Sequence, residues 1–168
     1  KKSRKVVGYG INALKAVWHR GAVDADGKTG DGAGIHLEIP SNFFAEKIEL
    51  TGHKHDDSEI CVGMIFLPRN NYAAQENSRT LVETELTKSN FSIYGWRQVP
   101  VNPKVLGEKA NQTRPEITQV LFKHNDKTLI GKNLERKIYE SRRKIEKEAI
   151  KNAIDGFYIC SLSSKSII

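Results

Sequence analysis

The sequence predicts a mixed fold in which helices and strands pack in layers. Three observations lead there. Apolar residues recur at helical intervals near both ends of the chain, at Val7, Ile11, Leu14 and Trp18 and again at Leu134, Ile138, Ile145 and Ala149. A continuous apolar run from Ile60 to Leu67 has the length and composition of a strand covered on both faces. Proline and glycine separate these segments with neither a long linker nor an internal repeat between them. At 168 residues the chain is one domain's worth, a size that buries about 70% of the unfolded surface.

The elements follow in order. The first stripe describes a helix that ends near His19, with Gly21 just beyond it. Ile35, Leu37 and Ile39 alternate with His36 and Glu38, so residues 33–39 read as a half-buried strand stopped by Pro40. Ser41 is placed to cap a short helix through Lys47. A polar stretch from Thr51 to Glu59 leads into the apolar run, which belongs in the middle of a sheet. Residues 72–88 have helical composition, and Phe91 to Val99 returns to strand character before Pro100 and Pro103 end it. A strand over Ile117–Phe122, a turn at Asn125-Asp126, a charged helix over 132–151 and a final strand over Phe157–Leu162 complete the chain.

Gly21, Gly27, Gly30, Gly32 and Gly34 fall within fourteen residues, between the first helix and the first strand. Glycine is selected where the backbone needs positive φ or where a Cβ would obstruct a ligand or a neighbouring layer. A surface hairpin is the ordinary reading of such a Gly/Asp cluster. The cluster also carries a resemblance. His19-Arg20-Gly21-Ala22 followed by Asp24-Ala25-Asp26-Gly27-Lys28-Thr29-Gly30-Asp31-Gly32-Ala33-Gly34-Ile35 closely resembles the class II glutamine amidotransferase domain at the N-terminus of glutamate synthase large subunits. The likeness continues through Glu38-Ile39-Pro40, Val62–Pro68, Gly95–Val101, a looser run around Leu106-Gly107, and Ser161-Leu162-Ser163-Ser164, in order over nearly the whole chain.

That resemblance implies an α+β fold of four αββα layers, the N-terminal-nucleophile hydrolase architecture, incomplete at both ends, with residues 1–168 forming part of one amidotransferase domain. It implies that L-glutamine is hydrolysed by a cysteine at the mature N-terminus, whose thiolate attacks the side-chain amide while its own α-amine shuttles the proton. The cysteine belongs before a short strand that precedes the first helix, and this chain opens at Lys1, past that point. By the same resemblance the glutamine α-carboxylate clamp and an Asn-Gly oxyanion hole follow the Ser-Leu-Ser-Ser strand, beyond Ile168. Cys61 and Cys160 lie inside apolar strand segments without a free amine and read as structural. No catalytic residue is therefore assigned. Loss of an oxyanion donor costs about a hundred- to a thousandfold and loss of a nucleophile on the order of a millionfold, so the isolated 168 residues are expected to be inert.

Arg20 and Gly21 are the candidate substrate-binding residues. The resemblance sets both beside glutamine, with Gly21 letting backbone approach the ligand and Arg20 bracing the loop or setting its charge. His19 reads as a packing residue at the helix end, and Thr29 and Asp31 as turn formers. In the parent family, ammonia passes to a separate synthase unit that aminates and reduces 2-oxoglutarate. Flavin mononucleotide and an iron–sulfur cluster belong to that unit, and no cofactor is assigned to this segment. The remaining synthase domains, and a small subunit, are the implied partners.

Other classes compete less well. The net charge of +7 invites nucleic-acid binding. Residues 132–151 hold eight basic and four acidic residues, giving +4 of that charge on the outer face of one amphipathic helix. A solvated face is the simpler reading, and no nucleic-acid partner is assigned. His53-Lys54-His55-Asp56-Asp57 lacks a third ligand of matching spacing and reads as a solvated loop, so no metal is assigned. Gly27–Gly34 lacks the Gly-Lys-Ser/Thr ending of a phosphate loop. No apolar run approaches the roughly 20 residues of a bilayer span. Without a signal-peptide pattern and with only two cysteines, the expected compartment is the cytoplasm. A non-catalytic scaffold of the same fold is the remaining alternative.

Overall fold

A computed structural model describes residues 3–56 and 58–168. In chain order the elements are α1 (Arg4–Ala16), β1 (Leu37–Glu38), α2 (Ser41–Glu49), β2 (Cys61–Leu67), α3 (Tyr72–Lys88), β3 (Phe91–Gln98), α4 (Glu108–Thr113), β4 (Glu116–His124), α5 (Gly131–Lys151), β5 (Tyr158–Ser163) and β6 (Ser166–Ile167), with short 3-10 turns at Trp18–Arg20 and Pro103–Val105. They divide into two compact units, Leu37–Val99 with Pro115–Ile168, and Lys1–His36 with Pro100–Arg114.

The first of these units is built on an antiparallel sheet in the order β3-β4-β2-β5. The apolar run takes the interior position expected of it, because a strand with no polar face loses least when both faces are covered. One face holds Cys61, Ile65, Leu67, Val120 and Phe122 against Val82 and Leu86 of α3 and Leu134, Ile138 and Ile145 of α5. The opposite face holds Val62 and Leu121 against Phe44 and Ile48 of α2, with Tyr94, Ile39 and Ile167. Alternation along β2 and β4 thus feeds two cores from one sheet. The α+β class is confirmed.

Two bulges adjust the register. Ile65 pairs Ile159 while Met64 pairs Ser161, leaving Cys160 as the extra residue on β5. Ile93 pairs Phe122 while Gly95 pairs Leu121, which turns the extra residue, Tyr94, into the α2 core. The second sheet joins β1 and β6 by two residue pairs, Leu37 with Ile167 and Glu38 with Ser166. The Ser-Ser-Lys turn before β6 is held by carboxylates. Ser163 Oγ and Ser164 N donate to Glu135 at 2.8 and 2.6 Å, and Lys165 Nζ and Ser164 Oγ reach Glu59.

Some expectations need correction. The strand read over 33–39 is two residues long, and Leu37 and Glu38 are exposed rather than half-buried. Ser41 does not cap α2. It is the first helical residue, and Pro40 stands at the cap without a side-chain bond. Residues 53–56 are not simply solvated, since the rings of His53 and His55 both pack edge-on to Tyr94. Asp56 beneath them meets Lys123 Nζ at 2.6 Å and Lys127 Nζ at 3.1 Å, and accepts from Ser58 Oγ and Tyr94 Oη. Asp57 lies outside the described residues.

The Lys123 ammonium, then the Ser58 hydroxyl, hold the Asp56 carboxyl far below the usual carboxylate range. A carboxyl depressed in the folded state stabilises above its ordinary value and loses that contribution as pH falls towards its folded value. Wild-type protein should therefore lose more stability than Asp56→Asn between pH 7 and pH 3. The difference is on the order of 1 kcal/mol, because the partly exposed pair is screened. Urea melts at the two pH values measure it, and parallel losses would contradict the assignment.

Candidate functional site

The bend that carries Arg20 and Gly21 belongs to the second unit, where α1 leads into it. Ser3 caps α1 by accepting from Val6 N. Among the described residues no side chain of α1 is buried, and Trp18 is 74% exposed. After the 3-10 turn, Gly21 N donates to Trp18 O at 3.0 Å and the chain becomes extended. His19, Arg20 and Gly21 are all exposed, so the expected packing role of His19 is not what the structure displays.

Residues 22–31 then form a narrow hairpin. Ala22 N donates to Asp31 Oδ2 at 2.9 Å, Val23 bridges Gly30, and Asp24 N donates to Thr29 O at 2.7 Å. At the tip Asp26 accepts from Lys28 N, Thr29 N and Thr29 Oγ1. Those bonds, the Thr29 hydroxyl foremost, hold its carboxyl well below the carboxylate range. Asp24 is lowered too, first by Lys109 Nζ at 2.6 Å. Thr29 and Asp31 are turn formers, as read from the sequence. Asp26 is the residue that reading passed over, although Asp-x-Lys-Thr before a glycine is a recognisable Asx-turn pattern.

The glycines here differ in what they do. Gly27 has φ +69°, a left-handed conformation that other residues adopt at a cost. Gly21 has φ −86° and ψ 149°, and a Cβ there would stand 3.4 Å from Trp18 O and 4.0 Å from Asp31 Oδ2, both ordinary distances. Neither conformation nor local packing demands glycine at position 21.

The two cysteines sit in the sheet unit. Cys61 is fully buried, and burial, then the charges of Glu135 and Glu59, push its thiol up, away from the reactive thiolate. Cys160 is the half-buried bulge residue. A thiol reagent at pH 7 should modify Cys61 at least about a hundredfold more slowly in native than in urea-unfolded protein, since modification must wait for opening. Equal rates would refute that. This chain has two cysteines, one buried and one half-buried in the sheet, which by themselves do not make the ligand set of an iron–sulfur cluster. Among the described residues no group of three or more His, Cys, Asp or Glu is placed to hold a metal ion.

The basic face of α5 is partly neutralised in place. Arg136 pairs with Glu140, Arg142 and Arg143 with Glu146, and Lys151 with Glu148, while Leu134, Ile138, Ile145 and Ala149 are buried beneath. Among the described residues no helix is long and apolar enough to cross a membrane. A groove of about 950 Å³ lies between the end of α5 and β5, and it is lined by Ile150, Ile154 and Tyr158 rather than by the bend.

Residues 1–168 match the family "Glutamine amidotransferases class-II" over their full extent. The chain belongs to the class II glutamine amidotransferases. This amidotransferase chain is 54% identical over 168 residues to "Glutamate synthase [NADPH] large chain" of Azospirillum brasilense, a match covering all of the chain and 11% of the relative. It is 38% identical over 170 residues to "Ferredoxin-dependent glutamate synthase" of Pyropia yezoensis, covering 99% and 11%. The chloroplastic ferredoxin-dependent enzyme of Spinacia oleracea is 34% identical over 172 residues, covering 100% and 10%. The amidotransferase chain thus spans about a tenth of the length of the relatives it matches.

Proposed function

We propose that residues 1–168 are part of one glutaminase domain of a glutamate synthase, in which L-glutamine is hydrolysed to glutamate and ammonia for the reductive amination of 2-oxoglutarate. The observation that carries this reading is the 54% identity to a glutamate synthase large chain, sustained over every residue of the chain. The nucleophile lies outside these 168 residues, a view supported by the burial of Cys61 and the bulge position of Cys160. Arg20 and Gly21 line the glutamine site. Gly21 is the stronger case, because the fold supplies no reason of its own for a glycine there.

Flavin mononucleotide, an iron–sulfur cluster and the amination chemistry belong to other domains of the parent. The electron donor is also chosen there, NADPH or ferredoxin by the names of the relatives. A small subunit is a further partner, and the parent works in the cytoplasm. The test is ammonia release from glutamine by the full-length protein. Arg20→Ala should lower kcat/KM about ten- to a hundredfold, as loss of a charged contact implies, and Arg20→Lys should not restore it. Absence of glutamine-dependent ammonia from the unmodified full-length protein would sink this reading, as would wild-type kinetics in Arg20→Ala the site assignment.

A further inference from the structure

We propose that Gly107 and the first turn of α4 position the Arg20–Gly21 bend, by clasping the tip of the hairpin that follows it. This rests on the reading of that bend as part of the glutamine site. α4 has Gly107 at its N-cap and so no capping side chain of its own. The hairpin tip supplies the cap from eighty residues away. Thr29 Oγ1 accepts from Ala110 N at 3.4 Å, and Lys109 Nζ pairs with Asp24 at 2.6 Å.

Gly107 is buried among exposed neighbours. A Cβ on it would overlap Thr29 Oγ1 and Asp26 Oδ2 and stand 2.5 Å from Thr29 N, a backbone atom that cannot swing aside. The glycine is therefore required by close approach, not by φ. From the tip, the Asp24–Thr29 bond, the Val23–Gly30 bridge and the Ala22–Asp31 bond run back to the residue next to Gly21. Among the described residues, none of the buried hydrophobic ones lies in this unit. With no apolar core to fix the hairpin, its polar clasp sets where the bend lies.

The experiment uses the full-length protein with Gly107→Ala, Thr29→Val and the hydroxyl-retaining Thr29→Ser, read by glutamine kinetics and by amide hydrogen exchange at Gly21 and Ala22. Gly107→Ala and Thr29→Val should raise KM for glutamine about tenfold while kcat changes less than about threefold, since misplacement of a binding segment weakens substrate positioning. Exchange at Gly21 and Ala22 should quicken about tenfold in both, and Thr29→Ser should stay near wild type. Unchanged KM and unchanged exchange in both variants overturn the proposal. If the unmodified protein releases no ammonia yet exchange quickens as stated, the clasp stands and the glutamine reading fails.

Discussion

Phe122→Ala is expected to destabilise the sheet unit by about 3–5 kcal/mol, the cost of deleting a buried aromatic ring whose space does not refill. Phe122 is wholly buried on β4, one strand in from the edge, where it pairs with Cys61 of β2 and Ile93 of β3. Its ring meets Phe91 edge-to-face at 5.3 Å, an arrangement worth about 0.5–1.5 kcal/mol beyond area alone. Phe91 in turn meets His124 edge-to-face at 4.9 Å. Against a total of roughly 5–15 kcal/mol for a domain, such a loss removes much of the margin. Phe122→Leu keeps most of the volume and should cost under about 1.5 kcal/mol. Urea unfolding followed by circular dichroism measures both. Equal destabilisation by Ala and Leu would mean that the ring's volume is not what the core depends on.

What could be read in advance was local. α3 occupies the residues read as helical, 72–88, because its polar and apolar residues give a continuous helical signal and Asn71 supplies a cap that accepts from Ala74 N. The buried stripe of α5 was legible for the same reason: its spacing is a property of the segment alone. α4 was not. Its residues are mostly polar, and the group that caps it is Thr29, invisible from positions 108–113. The length of β1 likewise depends on β6, which offers it only Ser166 and Ile167. The bulges at Tyr94 and Cys160 are set by pairing between strands, which alternation within one strand does not encode.

The candidate site divides the same way. Arg20 and Gly21 came from resemblance, and nothing in their spacing distinguishes them from a helix end followed by a turn. Thr29 and Asp31 followed from ordinary turn chemistry. Gly107 escaped because a glycine before a short polar segment has no local signature, and its role exists only once the hairpin lies against it.

Gly63 shows how a single hydrogen can govern the centre of a sheet. A glycine inside a strand usually weakens it, so Gly63→Ala would gain about 0.5–1 kcal/mol from chain entropy alone. Here the added Cβ would lie 2.6 Å from Leu162 Cδ1 and 2.7 Å from Val120 Cγ1. Those side chains come from β5 and β4, the strands on either side of β2, and both are buried. Both side chains sit in the packed core, so they can make room only by shifting against their own neighbours, and overpacking of that kind costs about 1–3 kcal/mol, more than the entropy returns. Gly63→Val adds two further carbons at the same point and should cost about 3 kcal/mol, the upper end of that range. The mechanism has a signature beyond magnitude. Combined with Leu162→Ala, which opens space beside the new side chain, Gly63→Val should cost less than the sum of the two single changes, by about 1 kcal/mol or more. Additive losses in that cycle would place the strain of Gly63→Val elsewhere than at Leu162.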